Sequence, residues 1–379
     1  MRLKKTAFAL VGLCVATFAA AADYRTTLLG GLAESESSAW GVNQSGQVVG
    51  RVSTAEGGWR ASLWEANGSW VALDLVGNTV SSRAVAINSS GQMVGSSMMS
   101  NDRYSPGYVA TMWSKDGRGK ALGTLGEGQG LAMGINDAGQ AVGAFDHFGQ
   151  SFETSAVRWD ADGVAHRLAS LGGSYNQANG INNKGQIVGY SGTASGGGSA
   201  VLWEADGSIK QLALLSETAR YNWSTRINEQ GQIAGLAIFS DIGVDDRPNT
   251  WGPDGSVQAL DLAGAIGGAA YDLNDSGSVI VGYSVLGGGI RHATLWDQGV
   301  AKDLNSFIDA GLAEAGWYFS EARDINEQGW VVGEARNRLT GGVQAFVLSP
   351  VPEPSSYALM LGGMGTLLAW RRRATSKRA

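Results

Sequence analysis

The sequence predicts an all-β fold, a seven-bladed β-propeller closed by its N-terminal strand, on the basis of three observations. The motif Asn-x-x-Gly-Gln-x-Val-Gly occurs seven times, with some variation, along the 379 residues. Successive copies begin 45 to 52 residues apart, a period typical of propellers and solenoids. Each repeat contains four short strand-like runs separated by turn signals, as one propeller blade does.

The motif itself predicts a tight hairpin at the start of each repeat. Its asparagine can cap its own turn, and the glycine three residues later can adopt a positive φ. The Val/Ile-rich run that follows then forms the return strand. In chain order the motif asparagines are Asn43, Asn88, Asn136, Asn182, Asn228, Asn274 and Asn326.

A third run in each repeat ends in an aromatic residue. The residues at this position are Trp64, Trp113, Trp159, Trp203, Trp251, Trp296 and, in the seventh repeat, Phe346. An Asn-Gly or Asp-Gly pair follows three residues later in five repeats, which predicts a second hairpin and a fourth strand. A tryptophan at a fixed position could stack on sugars or pack between neighbouring blades. We favour packing, because an aromatic ring buries a large area.

The two ends of the repeat region complement each other. The seventh repeat lacks a fourth strand, whereas residues 24–31 at the N-terminus align with the fourth-strand segment 166–173 and share its Arg, Leu, Gly and Gly. We therefore expect Tyr24–Leu29 to be the outer strand of the last blade, which would remove the open edge of the ring. The alternative, a solenoid, would need distinct capping repeats.

The N-terminal residues 1–22 have the features of a secretory signal peptide. Arg2, Lys4 and Lys5 precede an apolar run and a stretch of four alanines, so cleavage is expected after Ala22. The single cysteine, Cys14, lies inside this segment. It could be a lipoprotein acceptor, but the bulky Leu13 stands where such sites need a small residue. A mature chain without cysteine would form no disulfide.

The C-terminal residues 351–379 combine a Pro-Glu-Pro sequence, an apolar stretch at 355–370 and a basic cluster. The apolar stretch is at the short limit for a transmembrane helix, and the basic cluster predicts a cytoplasmic tail. The residues that define the segment are Pro352, Glu353, Pro354, Arg371, Arg372 and Arg373.

This order of parts resembles the PEP-CTERM sorting signal of Gram-negative bacteria that make extracellular polysaccharide. The resemblance implies transient insertion of the 355–370 helix into the inner membrane. It also implies that an exosortase, a membrane peptidase, recognises residues 352–354 and removes the helix. The expected destination is the cell envelope or the extracellular space. The alternative is an ordinary membrane anchor that is retained.

The region between the two signals, residues 23–350, is predicted to be the propeller. Its period and its Asn-x-x-Gly-Gln pattern resemble the HAF repeats of exported bacterial proteins, a resemblance that brings no catalytic residues with it. Eight of the 28 basic and one of the 34 acidic residues lie in the terminal signals. The region therefore carries 20 basic and 33 acidic residues, a net charge of −13. This charge argues against nucleic acid as a partner.

Variation in loop length suggests where a ligand could bind. From the last motif glycine to the aromatic position the chain advances 13 to 18 residues, whereas the motif hairpin is constant in all but one copy. Length variation on one face of a rigid scaffold predicts a binding surface, although drift in unconstrained loops stays equally open. The candidate residues on this variable-loop face are Asp102, Arg103, Tyr104, Asp146, His147, Asp241, Asp245, Asp246 and Arg247.

No metal, cofactor or catalytic site is predicted. The acidic residues at 241–246 lack the regular spacing of calcium loops, so a solvated acidic loop is the favoured interpretation. The three histidines occupy different blades and strand positions. The inner strands are small and apolar except at four positions, which could form a channel patch or pair with one another: Arg226, Asp272, Arg323 and Asp324.

Two functions remain open. The favoured one is a non-catalytic surface or matrix scaffold that binds a ligand, such as extracellular polysaccharide, through its variable-loop face. The alternative is a propeller enzyme, a hydrolase or lyase, that acts on glycans and draws its catalytic groups from several blades.

Overall fold

β-Strands make up nearly all the regular structure of the protein. The computed structural model describes residues 24–31, 35–100, 107–147, 153–240 and 245–351. In these residues the helical structure is one 3₁₀ turn, Leu304–Phe307, and one short helix, α1, Ala310–Glu314. The predicted all-β class is therefore confirmed.

The strands follow the repeats, which we number 1 to 7 after their motif asparagines. The first strand, β1, is Tyr24–Leu29. Repeat 1 contains β2 Ser37–Val42, β3 Val48–Ser53, β4 Trp59–Trp64 and β5 Trp70–Ala72. Repeat 2 contains β6 Ser81–Ile87, β7 Met93–Met98, β8 Tyr108–Trp113 and β9 Gly119–Ala121. Repeat 3 contains β10 Gly128–Ile135, β11 Ala141–His147, β12 Thr154–Trp159 and β13 Ala165–Arg167.

Repeats 4 to 7 continue the series. Repeat 4 contains β14 Gly172–Ile181, β15 Ile187–Thr193, β16 Gly198–Trp203 and β17 Ile209–Gln211. Repeat 5 contains β18 Tyr221–Ile227, β19 Ile233–Ile238, β20 Arg247–Trp251 and β21 Val257–Ala259. Repeat 6 contains β22 Gly267–Leu273, β23 Val279–Val285, β24 Arg291–Asp297 and β25 Val300–Asp303. Repeat 7 contains β26 Trp317–Ile325, β27 Val331–Asn337 and β28 Val343–Pro350.

Within each repeat, strands that follow one another in the chain pair antiparallel. A single parallel bridge between Thr154 and Tyr175 joins repeats 3 and 4 into one eight-stranded sheet. In repeat 7 the fourth position is taken by β1, which pairs with β28 from Tyr24–Pro350 to Leu29–Ala345. The order of that sheet is β1-β28-β27-β26, so the first strand of the chain lies beside the last.

The hydrophobic core lies between consecutive repeats. The first strands of the repeats contact one another in chain order, and β26 contacts β2. Trp113 of repeat 2, for example, packs with Val49 and Leu63 of repeat 1. Trp64 of repeat 1 packs with Val332 of repeat 7. Burial between repeats thus connects the sheets side by side.

The six tryptophans at the repeated aromatic position, which we call the tryptophan column, have a structural role. All six indoles are buried, and each Nε1–H donates to a backbone carbonyl just after the last strand of the preceding repeat. The bonds are Trp64 to Gly30, 2.7 Å; Trp113 to Asp74, 2.7 Å; Trp159 to Gly123, 2.7 Å; Trp203 to Ala169, 2.7 Å; Trp251 to Ala213, 2.8 Å; and Trp296 to Asp261, 2.6 Å. The packing interpretation is confirmed, because buried indoles cannot present a face to a sugar.

The motif asparagine binds its own turn and the neighbouring repeat at once. In repeat 3, Asn136 Oδ1 accepts the backbone N–H of Gln140, and Asn136 Nδ2 donates to the Gln140 side chain. The same Nδ2 donates to the backbone carbonyl of Asn182 in repeat 4, at 3.2 Å. Equivalent links join 43 to 88, 88 to 136, 182 to 228, 228 to 274 and 326 to 43.

Steric constraints explain why glycine occupies both of its positions in the motif. The glycine inside the turn has a positive φ in all seven copies, for example 74° at Gly46. The last glycine allows a close backbone approach: a Cβ on Gly50 would lie 1.9 Å from the carbonyl oxygen of Ser38 in the first strand. The equivalent distance is 1.9–2.1 Å in every repeat, so no residue with a side chain fits there.

Residues Tyr24–Pro350 form one compact unit. In the part of the chain that the structure describes, no helix is long and apolar enough to cross a membrane. The signal peptide at 1–22, the sorting residues 352–354 and 371–373 and the predicted helix at 355–370 lie outside the described residues.

Candidate ligand-binding site

A β-bulge recurs in the first strand of every repeat. The pairing with the second strand skips the residue three positions before the motif asparagine, as at Trp40 between Ala39 and Gly41. The skipped residues are Trp40, Val85, Met133, Asn179, Thr225, Tyr271 and Arg323. A bulge redirects the side chain of its extra residue. These seven residues all line one cavity, to which every repeat therefore contributes.

We call this space the loop-end cavity, because it lies towards the end where the first strands begin and the variable loops emerge. Its volume is about 330 Å³. Arg83, Ala132, Trp223 and Arg226 complete its lining. A concave space of this size with a mixed aromatic and polar lining is typical of small-molecule and oligomer binding sites.

One side of the loop-end cavity is aromatic. Trp223 stacks on Tyr190, with ring centroids 4.8 Å apart and planes 20° apart. Tyr175 and Tyr221 contact Tyr190 at 5.9 and 6.0 Å, and Tyr175 is 43% exposed. Burial raises the pKa of Tyr190, so its hydroxyl stays protonated. We call these four rings of repeats 4 and 5 the aromatic wall; Trp223 lines the cavity, and the three tyrosines pack behind it.

The opposite side is rich in arginine. The guanidinium carbon of Arg51 lies 3.8 Å from the ring centroid of Trp59 and 5.1 Å from that of Trp40. Arg323 approaches the same Trp40 ring, at 5.6 Å. Arg83 lies beside them in the cavity lining, and its Nε donates to Ser96 at 3.1 Å. Repeats 7 and 2 thus each place an arginine in the cavity lining, and Arg51 of repeat 1 lies beside Trp40 without lining the cavity itself.

Carboxylates compensate these arginines only in part. Glu321 forms ion pairs with Arg323 at 2.8 Å and with Arg291 at 2.6 Å, so one carboxylate serves two arginines. Among the described residues, Arg51 and Arg83 have no carboxylate within ion-pair distance. Burial, with Arg83 and Arg323 nearby, lowers the pKa of Arg51 to about 10.

Asp272 and Asp324 form a buried carboxyl pair between the first strands. Asp272 Oδ2 accepts the backbone N–H of Ile325, and Asp324 Oδ2 accepts that of Val42. Burial and the adjacent Asp272 raise the pKa of Asp324 well above its usual value. Like charges at this distance disfavour ionisation of both groups, which explains the direction of the Asp324 shift. Neither side chain lines the loop-end cavity, so the pair holds strands together and does not face a ligand.

Of the predicted channel residues, the two arginines do face the cavity. Arg226 lines it while donating to the backbone carbonyl of Asn179 at 2.7 Å. Arg323 lines it from the bulge of β26. The four positions are therefore divided: two cations reach the cavity, and the two carboxyls pair with each other.

A second space, the turn-end cavity, lies at the other end of the first strands and has a volume of about 530 Å³. Acidic residues that follow the motif asparagines line it, and each accepts a backbone N–H from the repeat before. Asp137 accepts from Ser89, Glu229 from Asn183, Asp275 from Glu229 and Glu327 from Asp275. These carboxylates thus link neighbouring repeats.

Asp146 and His147 end β11 near the variable loop of repeat 3. Asp146 Oδ1 accepts from Thr154 at 2.7 Å. His147 Nε2 lies 3.0 Å from Ser155 and 3.1 Å from Arg167. Neither residue lines the loop-end cavity.

Asp245, Asp246 and Arg247 lead into β20. Asp245 accepts from Ser240, and Arg247 donates to the carbonyl of Ile266 at 2.6 Å. Asp246 is only 6% exposed, so it does not belong to a solvated loop. Burial, reinforced by Asp245, raises the pKa of Asp246 to about 6. Asp102, Arg103, Tyr104 and Asp241 lie outside the described residues.

The histidines do not occupy three different blades, as predicted from the sequence, because His147 on β11 and His166 on β13 both belong to repeat 3. His166 pairs with Asp160 and His292 with Asp303, each at 2.7 Å, in different repeats. Over the described ranges, no three His, Cys, Asp or Glu side chains are placed to hold a metal ion.

The residues that the sequence reasoning missed are Trp40, Arg51, Arg83, Trp223 and Tyr271. A signal for the bulge position was present. When the repeats are aligned on their asparagines, the position four residues earlier is Ala or Ser and the one just before is Val, Ile or Leu. The bulge position between them differs in all seven repeats. Variability between two constant positions indicates that packing between repeats does not dictate the side chain at the bulge.

Comparisons with known proteins address the C-terminus and the fold. Residues 350–373 match the PEP-CTERM protein-sorting motif. This motif shows an exported protein that passes the membrane, is processed by an exosortase and is destined for the cell envelope. No curated protein matches the chain.

Among solved structures, the chain is similar to the β-propeller domain of the Trilobed protease from Pyrococcus furiosus. The identity is 12% and the TM-score 0.53, over 83% of this chain and 93% of that one. It is also similar to puromycin hydrolase, with 12% identity and a TM-score of 0.53, over 82% of this chain and 51% of that one. At these identities the likeness concerns the fold alone. The protein is therefore an exosortase-targeted, exported protein with a propeller-like all-β fold.

Proposed function

We propose that residues 23–350 form a closed seven-bladed β-propeller after removal of the signal peptide at Ala22. Three observations support the ring: the first strands contact one another from β2 round to β26 and back to β2, β1 pairs with β28, and Asn326 donates to Asn43. A blade assembled from both ends of the chain pairs the otherwise open edge of β28 and holds the two ends of the ring together.

We further propose that this propeller is a non-catalytic scaffold of the cell envelope that binds a polysaccharide. The observation that carries the proposal is the loop-end cavity, to which all seven repeats contribute and which has an aromatic wall on one side. Sugar rings present apolar faces that stack on exposed aromatic rings, while their hydroxyls need polar partners. Asn179, Thr225 and Arg226 supply such partners in the lining.

The variable-loop face then acts as the rim of the binding site rather than its base. The first strands hold the base rigidly through the asparagine links, and loops of different length emerge around it. This division suits an extended polymer, since one segment can enter the cavity while its neighbours lie across the rim. Asp102, Arg103, Tyr104 and Asp241 are the rim residues that we propose from the sequence, with Asp146, His147 and Asp245.

A glycan array probed with the exported protein, purified from cells, tests binding. We expect retention of oligosaccharides, and loss of retention in Trp223→Ala. Trp330→Ala is the matched control, because Trp330 lies at the turn end. Thermal melts of all variants exclude unfolding. Equal retention by Trp223→Ala and the unaltered protein would place the ligand elsewhere.

The same oligosaccharides, assayed for new reducing ends, test the enzymatic alternative. We expect no release. Turnover that disappears in Asp272→Asn or Asp324→Asn would show instead that the carboxyl pair acts on glycans.

Processing is tested by mass spectrometry of the protein recovered from the envelope and the medium. We expect a chain that starts at Asp23 and lacks Arg371–Arg373. Recovery of an intact C-terminus would favour a retained anchor.

A further inference from the structure

Resting on the proposed glycan binding, we infer that Arg83 and Arg323 in the lining of the loop-end cavity, together with Arg51 beside Trp40, form an anion subsite, and that the ligand is an acidic polysaccharide. The anionic group is a carboxylate or a sulfate ester on a sugar ring.

The position of the three arginines is the first step. Arg323 and Arg83 line the cavity from β26 and β6, and Trp40 lines it from β2 between them. Arg51 reaches the same place from β3, with its guanidinium within 5.1 Å of the Trp40 ring centroid. Arg323 lies 5.6 Å from that centroid. One indole thus positions two guanidinium groups beside a third cation.

The local charge balance is the second step. Arg323 shares the carboxylate of Glu321 with Arg291, and Glu334 pairs more closely with Arg336, at 2.7 Å, than with Arg323, at 3.9 Å. Arg51 and Arg83 make no ion pair among the described residues, although Glu334 and Glu36 act on Arg51 from a greater distance, so carboxylates are fewer than arginines here. Clustered cations that lack counterions repel one another, and a bound anion would relieve that repulsion.

Unused hydrogen-bond donors are the third step. The Nε–H groups of Arg51 and Arg323 are buried and have no partner among the described residues. Buried donors normally have a hydrogen-bond acceptor. These two N–H groups are therefore suited to donate to an oxygen of the ligand, or to a water molecule that the ligand displaces. Guanidinium donors bind carboxylates and oxygen anions with fixed, often bidentate geometry, which makes recognition selective.

The aromatic wall is the fourth step. It lies on repeats 4 and 5, whereas the arginines lie on repeats 7, 1 and 2, and Trp223 and Arg83 line the same cavity. A ligand that satisfies both sides needs an apolar ring face and a negative charge, as an acidic sugar has. The protein is acidic as a whole, so general electrostatic attraction would not recruit such a polymer, and the local cluster must do so.

Matched pairs of ligands test this inference. Uronate oligomers and their methyl esters differ in charge but hardly in ring shape, and sulfated galactan and its desulfated form make a second pair. Binding to the exported protein is measured by calorimetry for each member, after an array has chosen the oligomer with the best-fitting ring.

We expect the charged member of at least one pair to bind roughly tenfold to a hundredfold more tightly than the neutral one, as for a charge-assisted hydrogen bond. Arg51→Gln and Arg83→Gln should remove most of that preference, because they weaken binding of the charged member much more than that of the neutral one. Arg118→Gln is the control, because the Arg118 side chain is 82% exposed at a tight turn. Trp223→Ala should weaken both members.

The outcomes are distinct. Equal affinity for charged and neutral members, or an unchanged preference in Arg51→Gln and Arg83→Gln, overturns the anion subsite but leaves glycan binding intact. Binding of no charged or neutral saccharide overturns both. A preference for uronates identifies the anion as a carboxylate, and a preference for sulfated galactan identifies it as a sulfate ester.

Discussion

The side-chain amide of Asn326 donates a 2.9 Å hydrogen bond to the backbone carbonyl of Asn43, although 283 residues separate them. The same link joins each of repeats 1 to 5 to the repeat after it. In repeat 6 the motif has one more residue, and the turn is longer: the N–H of Asn274 reaches the carbonyl of Val279. Asn326 therefore connects the last motif to the first with the bond that elsewhere connects sequence neighbours.

Asn136→Ala should lower the free energy of unfolding by roughly 2–4 kcal/mol, because it removes buried bonds within its turn and to Asn182. Asn67→Ala is the control. Asn67 makes one exposed turn bond to Ser69, and its loss should cost less than about 1 kcal/mol. Urea denaturation measures both. Similar midpoints for the two variants would show that the links between repeats contribute little.

Deletion of residues 23–31 should lower the melting temperature sharply, since β28 would lose its partner and Trp64 its acceptor Gly30. A point variant tests the burial of β1 without shortening the chain. Leu29 is buried between repeats 7 and 1, so Leu29→Asp should destabilise by roughly 3 kcal/mol or more. Thr27→Asp, exposed on the same strand, should stay within about 1 kcal/mol. Unchanged melting of the deletion variant would contradict closure by β1.

Trp159→Phe should destabilise by roughly 2–4 kcal/mol, because it leaves a cavity and takes the indole donor from the Gly123 carbonyl. Trp70→Phe is the matched control: the Nε1 of Trp70 is buried but has no partner in the described chain, so its loss should cost less than about 1 kcal/mol. Thermal unfolding compares the two. If both variants melt alike, the indole bond does not secure neighbouring repeats.

Asp246 should make stability depend on pH between about 4 and 6. Its pKa is raised to about 6 in the folded protein, from roughly 3.9 in an unfolded chain. The folded state therefore holds the proton more strongly, and stability falls as the pH rises through this window. The Asp246→Asn side chain cannot ionise. The free energy of unfolding of this variant, relative to that of the unaltered protein, should therefore rise by roughly 2 kcal/mol between pH 4 and pH 7.

The control for that measurement is Asp254→Asn. A hydrogen bond from Ser256 lowers the pKa of Asp254, so its contribution is present above the unfolded pKa and is lost as the pH falls. Relative to the unaltered protein, the free energy of unfolding of Asp254→Asn should therefore fall, not rise, as the pH increases. Urea denaturation at several pH values measures both variants, and a flat difference between Asp246→Asn and the unaltered protein would contradict the buried-carboxyl account.

The repeat motif made the local structure predictable. Asn, Gly and Gln act within a few residues of one another, so their roles follow from turn chemistry, as Gly46 shows with its φ of 74°. The tryptophan column was predictable for a similar reason, because a large apolar residue repeated at one strand position indicates a packed layer. The acceptors of the indole N–H groups were not predictable, since they belong to the preceding repeat.

The site was predicted less well. Arg226 and Arg323 stood out as charges in apolar strands, and both reach the cavity. Asp272 and Asp324 stood out equally but pair with each other, although Arg226 occupies the same position relative to its motif asparagine, so position in the repeat does not by itself decide which side chain reaches the cavity. The last motif glycine lets the carbonyl of the first strand approach, and the bulge that follows redirects a single side chain.

By itself the sequence determined the all-β class, the motif hairpins, the buried tryptophans and the C-terminal sorting motif, because each depends on residues close together in the chain. Only the tertiary structure decided that Arg83, Arg323 and Trp223 line one cavity, with Arg51 and the tyrosines of the aromatic wall next to them. Those residues come from different repeats, and neither a turn propensity nor a period specifies how separate sheets pack. Their proximity arises from burial between repeats and from a bulge that the spacing of the motif does not reveal.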